Sequence, residues 1–283
     1  MKLLRVGPAG AERPAILDAQ GTPRDLSVKN IMPLAGEGVS IEALDRLRGI
    51  DVESLPPIEG TPRIGSCLGW VPNFFCVGLN YAKHAAEAGA EPPKEPILFS
   101  KASSALSGPN DTITLPQGSR KGDWEVELGV VIGRDCHGVS EADALSHVAG
   151  YCTINDVSER EFQIERGGQW IKGKSAPGFG PIGPWLVTAD EVPDPQALRL
   201  WLSLNGTRVQ DGETSDMIFG VAEIISYMSR FMRLQPGDII ATGTPSGVGM
   251  GMSPQRFLQP GDRLELEVSG LGRQVQEIAV AGG

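Results

Sequence analysis

Glycine and proline limit the length of every element that this chain can form. From Trp70 onward they interrupt each apolar run, and the 37 glycines and 22 prolines among 283 residues imply many turns between short elements. This texture is typical of a β-rich domain and not of a helical bundle. We predict strands at 74–77, 97–100, 125–132, 151–155, 183–188, 198–205, 239–242 and 264–268.

Three segments between these strands predict helices. The first begins at Ser140, where Ser140 and Asp143 form a capping box, and the others cover about 159–166 and 221–232. Strands and helices do not alternate regularly, which argues against βαβ winding. The predicted fold class is therefore α+β and β-rich, with a curved core and helices packed at its edges.

Residues 1–68 differ in texture from the rest of the chain. MKLLRV and PAILD predict a small hairpin, SIEALDRLRGI predicts a helix, and SLPPIEGTPRIG predicts a proline-rich linker. We therefore expect a small N-terminal α+β domain at 1–68, followed by a larger catalytic domain at 69–283.

Charge and cysteine content narrow the class of function. Asp and Glu total 35 against 25 Lys and Arg, so we expect no nucleic-acid partner, whereas local cations could still bind a small anionic substrate. The four cysteines show no C-x-x-C spacing and resemble buried thiols of a reducing compartment. No segment resembles a signal peptide or a membrane span, so we expect a cytoplasmic protein without a membrane partner.

Two glutamates lie two residues apart where a predicted strand begins. Side chains alternate between the faces of a strand, so Glu125 and Glu127 point the same way and can contact one cation. Asp156 ends the next apolar run. A solvated strand face is the alternative, but three carboxylates without a Cys or His cluster fit a hard cation, first Mg²⁺, then Mn²⁺ or Ca²⁺.

His84 and Glu87 lie three residues apart in a short helical pattern, which makes them neighbours on one helix face. They could be ordinary residues of a capped surface helix. Alternatively, Glu87 orients the imidazole and His84 accepts a proton from water. The alanine-rich helix has little packing of its own, so it could also act as a lid over a substrate.

Two further segments could bind an anion. Lys172 and Lys174 alternate along a segment that we predict to be extended, and they are either a solvated pair or a contact that stabilises a developing oxyanion. The glycine-rich segment 241–251 fits no nucleotide-binding template. It is either a structural turn or a loop that offers backbone N–H groups and Thr244 to a carboxylate.

Five segments together make the chain from about residue 74 to 268 closely resemble the fumarylacetoacetate hydrolase family. They are VGLNYAKHAAE (77–87), EVELGVVIG (125–133), NDVSEREFQ (155–163), KGKS (172–175) and TGTPSGVG (242–249). The resemblance implies a mixed β-sandwich roll that forms a homodimer or a dimer-based oligomer.

The resemblance also implies roles for individual residues. His84 and Glu87 would activate water, and Lys174 would stabilise charge. The implied ligands of a Mg²⁺ or Mn²⁺ ion are Glu125, Glu127 and Asp156. The expected substrate-binding positions are Leu79, Tyr81, Arg160, Gln163 and Thr244. In this scheme water attacks the C4 carbonyl of a 2,4-dioxo acid, and C–C cleavage releases pyruvate.

A finer resemblance concerns the substrate. The segments RGGQWIKGK (166–174) and GPWLVTAD (183–190) look like the branch that cleaves L-2,4-diketo-3-deoxyrhamnonate, or its fuconate relative, to pyruvate and L-lactate. Leu79 stands where many acylpyruvate and fumarylpyruvate hydrolases have Arg, which favours a neutral, hydroxylated tail. The alternatives are acylpyruvate or fumarylpyruvate hydrolysis, isomerase or decarboxylase chemistry on an oxo-diacid, and non-catalytic binding of 2-oxo acids.

Overall fold

The computed structural model describes residues 1–29, 31 and 33–281. These residues form seventeen strands and five short α-helices, so the predicted α+β, strand-rich fold class is confirmed. The strands are β1 (Lys2–Val6), β2 (Arg13–Leu17), β3 (Pro23–Asp25), β4 (Phe74–Gly78), β5 (Ile97–Lys101), β6 (Leu106–Ser107), β7 (Ile113–Leu115), β8 (Gly122–Asp123), β9 (Val126–Ile132), β10 (Val148–Asn155), β11 (Ser158–Glu159), β12 (Gly180–Thr188), β13 (Arg199–Leu204), β14 (Thr207–Glu213), β15 (Ile239–Ala241), β16 (Arg263–Val268) and β17 (Gly272–Val280). The α-helices are α1 (Ile41–Arg48), α2 (Ala82–Glu87), α3 (Glu141–Ala144), α4 (Ile171–Lys174) and α5 (Val221–Ser229).

The largest sheet runs in the order β3-β2-β1-β12-β10-β9-β15-β4-β5, and β6 pairs with β12. Strands β9 and β10 lie at its centre as an antiparallel pair, and every residue of both strands is buried. Because both faces are covered, these strands have apolar side chains on both sides. The buried polar side chains at their ends therefore require partners inside the protein.

A second sheet, in the order β14-β13-β16-β17-β7, packs against the first. The Asn205-Gly206 turn joins β13 to β14 as a hairpin, and both residues have positive φ angles, as a two-residue hairpin turn requires. Leu202 of β13 and Leu266 of β16 share the main core with Leu128 of β9. The apolar space between the sheets thus fixes β9 from one side.

The N-terminal residues extend the large sheet. The predicted hairpin is present as β1 and β2, and β1 also pairs with β12. Helix α1 begins after Ser40, whose hydroxyl accepts the Ala43 N–H, and it buries Ala43, Leu44 and Leu47 at helical spacing. Leu44 and Leu47 join a core that includes Ile182 of β12. The domain boundary at residue 68 stays a prediction.

The helices differ in detail from the sequence expectations. Ser140 caps α3 by accepting the Asp143 N–H, and the segment expected at 221–232 is α5, which ends at Ser229. The segment at 159–166 contains a π-helical turn at Glu161–Glu165. Among the residues that the structure describes, no helix combines the length and apolar character needed to cross a membrane.

Candidate active site

Three carboxylates meet where β9 begins and β10 ends. Glu125 precedes β9 and Glu127 is its second residue, which places both on one side of the strand. Asp156 follows β10, and its backbone N–H donates to the Glu125 carbonyl oxygen at 2.9 Å. One oxygen from each carboxylate lies within 4.8 Å of the others, and all three residues are buried. The structure therefore brings together the three residues that the sequence proposes as metal ligands.

The environment of these carboxylates fits a divalent cation. Burial, reinforced by the Asp156 and Glu125 carboxylates, raises the pKa of Glu127 well above its ordinary value. Burial also acts on Glu125, but Lys174 and Arg160 outweigh it and lower its pKa to about 2. Within the described chain, Glu127 has no cationic partner and accepts the Gly243 N–H at 2.7 Å. A cluster of buried oxygen donors with incomplete charge compensation is the donor set that Mg²⁺ or Mn²⁺ prefers.

Two buried lysines contact the cradle formed by Glu125, Glu127 and Asp156. Lys174 Nζ lies 2.8 Å from Glu125 Oε2 and 2.8 Å from Asp156 Oδ2. Lys101 Nζ forms an ion pair with the other Asp156 oxygen and donates to the Val157 carbonyl oxygen at 3.0 Å. Burial acts against the charged form of both ammonium groups. At Lys101 burial prevails and the pKa is lowered, whereas at Lys174 the Asp156 and Glu125 carboxylates outweigh burial and raise the pKa.

The prediction that Lys172 and Lys174 lie on an extended segment is wrong. They belong to the single turn of α4, where two residues of separation place side chains on different sides. Lys172 is exposed and donates to the Arg166 carbonyl oxygen, whereas Lys174 is 1% exposed and contacts the cradle. Gly173 permits this turn because a Cβ there would overlap the backbone of Glu159 and Gln163.

Arg160 connects the cradle to a second anchor that sequence reasoning missed. Its guanidinium lies 2.7 Å from Glu125 Oε1 and donates to Asp123 at 2.8 Å and to Gln163 Oε1 at 3.1 Å. Asp123 is fully buried and also accepts backbone N–H groups from the glycine-rich segment, those of Gly249 and Met250. One nitrogen of Arg160, Nη2, is buried without a hydrogen-bond partner in the described structure. Buried donors are normally paired, so this nitrogen is available to a ligand or a water molecule.

His84 and Glu87 lie on α2 as predicted. His84 Nδ1 is 3.3 Å from Glu87 Oε2, and His84 is buried at 6% exposure, which excludes the ordinary surface histidine. The Gly247 N–H donates to both Glu87 oxygens, at 2.9 Å and 3.1 Å. A Cβ at Gly251 would overlap Glu87 Cγ, so glycine is needed for Glu87 to lie against this loop. The carboxylate is thereby held in a position to orient the imidazole.

The glycine-rich segment does offer backbone N–H groups to carboxylates, but those carboxylates belong to the protein itself. Gly243 donates to Glu127, Gly247 donates to Glu87, and Gly249 donates to Asp123. The Thr244 hydroxyl is already engaged, since it donates to the Val126 carbonyl oxygen and accepts from Gln210. Its predicted contact with substrate would have to use the remaining lone pair, and it stays a prediction.

A cavity of about 180 Å³ collects most of these side chains. Its polar lining consists of His84, Glu125, Glu127, Arg160, Gln163, Lys174 and Thr244. Leu79 also lines it, as predicted for a substrate contact. Tyr81 does not: it is buried, it lines a separate cavity of about 110 Å³, and its hydroxyl has no hydrogen-bond partner within the described residues. A role for Tyr81 in substrate binding stays a prediction.

The comparison with known families decides the assignment. A family model described as Fumarylacetoacetate (FAA) hydrolase C-terminal matches residues 73–279. The chain belongs to the fumarylacetoacetate hydrolase family. A family relative from Burkholderia ambifaria, whose name states hydrolase and no substrate, is 60% identical over 277 residues, which are 98% of each chain.

Two solved structures show the range of activities among similar proteins. Maleylpyruvate hydrolase from Sphingobium sp. SYK-6, in complex with manganese(II) ion and pyruvate, is 28% identical with a TM-score of 0.81, and the match covers 99% of each chain. 2-Hydroxyhepta-2,4-diene-1,7-dioate isomerase from Mycobacterium marinum is 31% identical with a TM-score of 0.73, and the match covers 100% of each chain. Such hydrolase and isomerase neighbours support an enzymatic function for this member of the family.

Proposed function

We propose that the protein hydrolyses a C–C bond of a 2,4-dioxo acid and releases pyruvate, with Glu125, Glu127 and Asp156 as ligands of a divalent cation. The observation that carries this proposal is the polar end of the cavity. Two carboxylates of the cradle, two cations and the imidazole line one space: Glu125, Glu127, Lys174, Arg160 and His84. Asp156 and Glu87 contact this lining from behind, through the cradle and through His84. The manganese and pyruvate bound to the similar maleylpyruvate hydrolase agree with such a site.

Each side chain has a role that follows from its contacts. Glu87, fixed by Gly247, accepts from His84 Nδ1 and leaves Nε2 free to take a proton from water, a contribution of about 10²–10⁴-fold in rate. The unpartnered Nη2 of Arg160 would donate to the substrate carboxylate. The Lys174 ammonium, which contacts Glu125 and Asp156, would stabilise the negative charge that develops on the leaving pyruvate.

A divalent cation bound in this cradle would supply Lewis-acid catalysis to a 2-oxo acid. Mg²⁺ and Mn²⁺ are both candidates, because both take oxygen ligands. Binding of each to the purified protein by calorimetry, together with the rate that each supports, would distinguish the native ion.

The central experiment removes single cradle residues and measures cation binding and pyruvate release separately. Glu125→Ala or Asp156→Ala should abolish both, and full activity in either variant would contradict the proposal. Glu277→Ala is the matched control, because Glu277 is an exposed carboxylate on β17 and should leave both unchanged. His84→Ala should retain cation binding and lose at least about 10²-fold in rate.

For the specific substrate, the sequence resemblance makes L-2,4-diketo-3-deoxyrhamnonate, cleaved to pyruvate and L-lactate, one candidate. Acylpyruvates and fumarylpyruvate are the alternatives. A screen of these three groups with Mg²⁺, with pyruvate detected through coupled lactate dehydrogenase, would rank them. Activity on dicarboxylates alone would contradict the inference from Leu79.

The similar isomerase makes isomerisation or decarboxylation of an oxo-diacid the second candidate. Turnover in H₂¹⁸O separates the two, since only hydrolysis incorporates the label into the released acid. Non-catalytic binding is the third, and it would appear as tight calorimetric binding of a 2-oxo acid without product by NMR. The homodimer stays a prediction, and light scattering of the purified protein would test it.

A further inference from the structure

We propose that the far half of the cavity is a subsite for a short, apolar acyl group, which ranks acylpyruvates above hydroxylated and charged substrates. This inference rests on the proposed hydrolysis and concerns the substituent beyond C4. The far half is the part of the cavity lining that lies away from the carboxylate cradle. Its main side chains are Leu79, Phe99, Ile164, Trp170 and Met250.

The wall begins directly beside the catalytic groups. Lys174 Nζ lies 5.1 Å from the centroid of the Phe99 ring, and the Trp170 ring packs edge-on against Phe99 at a centroid distance of 5.0 Å. Trp170 also covers Gly78, where a Cβ would lie 2.6 Å from the indole. The absence of a side chain at Gly78 is therefore what admits the indole to this position.

Leu79 is held in the wall by its neighbour. Its φ of 53° lies in the left-handed region, which a leucine rarely occupies and which the surrounding structure must enforce. Asn80 enforces it: the fully buried amide donates to the carbonyl oxygens of Phe219 and Thr242 and accepts the Phe219 N–H. This strained backbone directs an aliphatic side chain into the cavity.

The lining offers few hydrogen bonds to a substituent in this half of the described cavity: Met250 has only a weak acceptor and Trp170 only its indole N–H donor. The other polar side chains of the lining belong to the cradle and its cations, to the His84–Glu87 pair, or to Gln163 and Thr244, which contact Arg160 and Val126. A hydroxyl placed against the aliphatic and aromatic faces of this wall would lose its hydrogen bonds to water without replacement. The argument from Leu79 against a second substrate carboxylate stands, whereas the expected hydroxylated tail does not fit this wall.

A substrate ladder with one constant pyruvate end tests the subsite. With Mg²⁺, kcat/KM should rise about fourfold for each methylene added to the tail, or roughly fifteenfold from acetylpyruvate to butanoylpyruvate. Fumarylpyruvate and L-2,4-diketo-3-deoxyrhamnonate should be cleaved at least about tenfold less efficiently than butanoylpyruvate. A flat ladder, or a preference for the sugar acid, overturns the subsite while leaving the hydrolysis in place.

A binding series tests the same wall without turnover. Calorimetry of the Mg²⁺-loaded protein with pyruvate, 2-oxopentanoate and 2-oxohexanoate should show affinity that increases about fourfold per methylene. If every dioxo acid is left intact but this trend is present, the proposed hydrolysis fails and the apolar subsite holds. Affinity that is independent of length overturns the subsite.

Two substitutions locate the effect. Trp170→Ala should reduce kcat/KM for butanoylpyruvate by at least about tenfold and change that for acetylpyruvate by less than about twofold. Ile171→Ala is the control, since Ile171 is the next residue, is exposed and does not line this cavity. Leu79→Arg should shift the preference toward fumarylpyruvate. Equal losses on both acylpyruvates in Trp170→Ala would contradict the proposal.

Discussion

The two ends of one cavity are held in place by different physical interactions. At the polar end, charge pairs among buried side chains fix the cradle, as Lys101 and Lys174 do for Asp156. At the apolar end, the position of Trp170 depends on edge-on packing with Phe99. The catalytic end is thus specified by electrostatics and the other end by shape.

This difference predicts different tolerance to substitution. Removing one partner of a buried charge pair leaves the other uncompensated, at a cost of about 3–5 kcal/mol. Exchanging one apolar wall residue for another of similar volume usually costs less than about 1.5 kcal/mol. We therefore expect changes at the polar end to reduce folding or catalysis, and changes at the apolar end to reorder substrates.

Among the substitutions that test this difference between the two ends, Lys101→Met should have the largest effect. Lys101 is completely buried and compensates one oxygen of Asp156, so its loss should lower the free energy of unfolding of the metal-free protein by about 3–5 kcal/mol. Because the cradle then carries more uncompensated negative charge, Mn²⁺ should bind more tightly. Urea unfolding and calorimetry measure the two effects. The control is Lys121→Met, because Lys121 pairs with Glu165 at the surface and should change stability by less than about 1 kcal/mol. Equal effects in both variants would mean that burial does not distinguish the two pairs.

Asn80→Ala should have the next largest effect, and it joins the two ends. The substitution leaves the Phe219 N–H and two carbonyl oxygens without partners in the interior, which should cost about 3 kcal/mol in urea unfolding. It also releases the strained backbone of Leu79, so the ranking of acylpyruvates should flatten. Asn110→Ala, which removes one bond at an exposed site, should cost well under that amount. An unchanged ranking would show that Asn80 does not hold the wall.

The parts of the site that could be predicted depend on local spacing. The period of two where β9 begins placed Glu125 and Glu127 together, and the three-residue spacing on α2 did the same for His84 and Glu87. Both periods follow from backbone geometry, so tertiary context did not alter them.

The parts that could not be predicted depend on contacts between distant segments. Lys101 lies 55 residues from Asp156, and Gly249 lies 126 residues from Asp123. For the contact between Lys101 and Asp156, the available sequence signal was the position of this lysine at the end of the apolar run of β5. The error at 172–174 has the same origin, because a four-residue helix containing Gly173 has no periodicity to detect, and its packing against Glu159 and Gln163 is tertiary.

Gly251→Ala should have a smaller effect that is confined to the polar end. The added methyl group would overlap Glu87, which must then move away from the Gly247 N–H. We expect a loss of about 1–2 kcal/mol in stability and a fall in kcat without a change in substrate ranking. Gly49→Ala is the control, because a Cβ there meets only ordinary contacts at the end of α1. A change in ranking would show that the two ends of the cavity are coupled.

Asp190→Asn should have the smallest effect on stability, because it tests a surface ion pair that belongs to neither end of the cavity. Burial alone would raise the pKa of Asp190, but hydrogen bonds from Thr188 and Arg48 outweigh it and lower the pKa to about 2. The folded-state pKa lies below the ordinary value of 3.8, so the stabilisation is present above that pH and is lost as the pH falls toward 2. With a half-exposed side chain, the substitution should cost less than about 1 kcal/mol at pH 6. Urea midpoints of both proteins should converge progressively between about pH 5 and about pH 1. A difference that is undiminished at pH 2 would assign the effect to packing and not to charge.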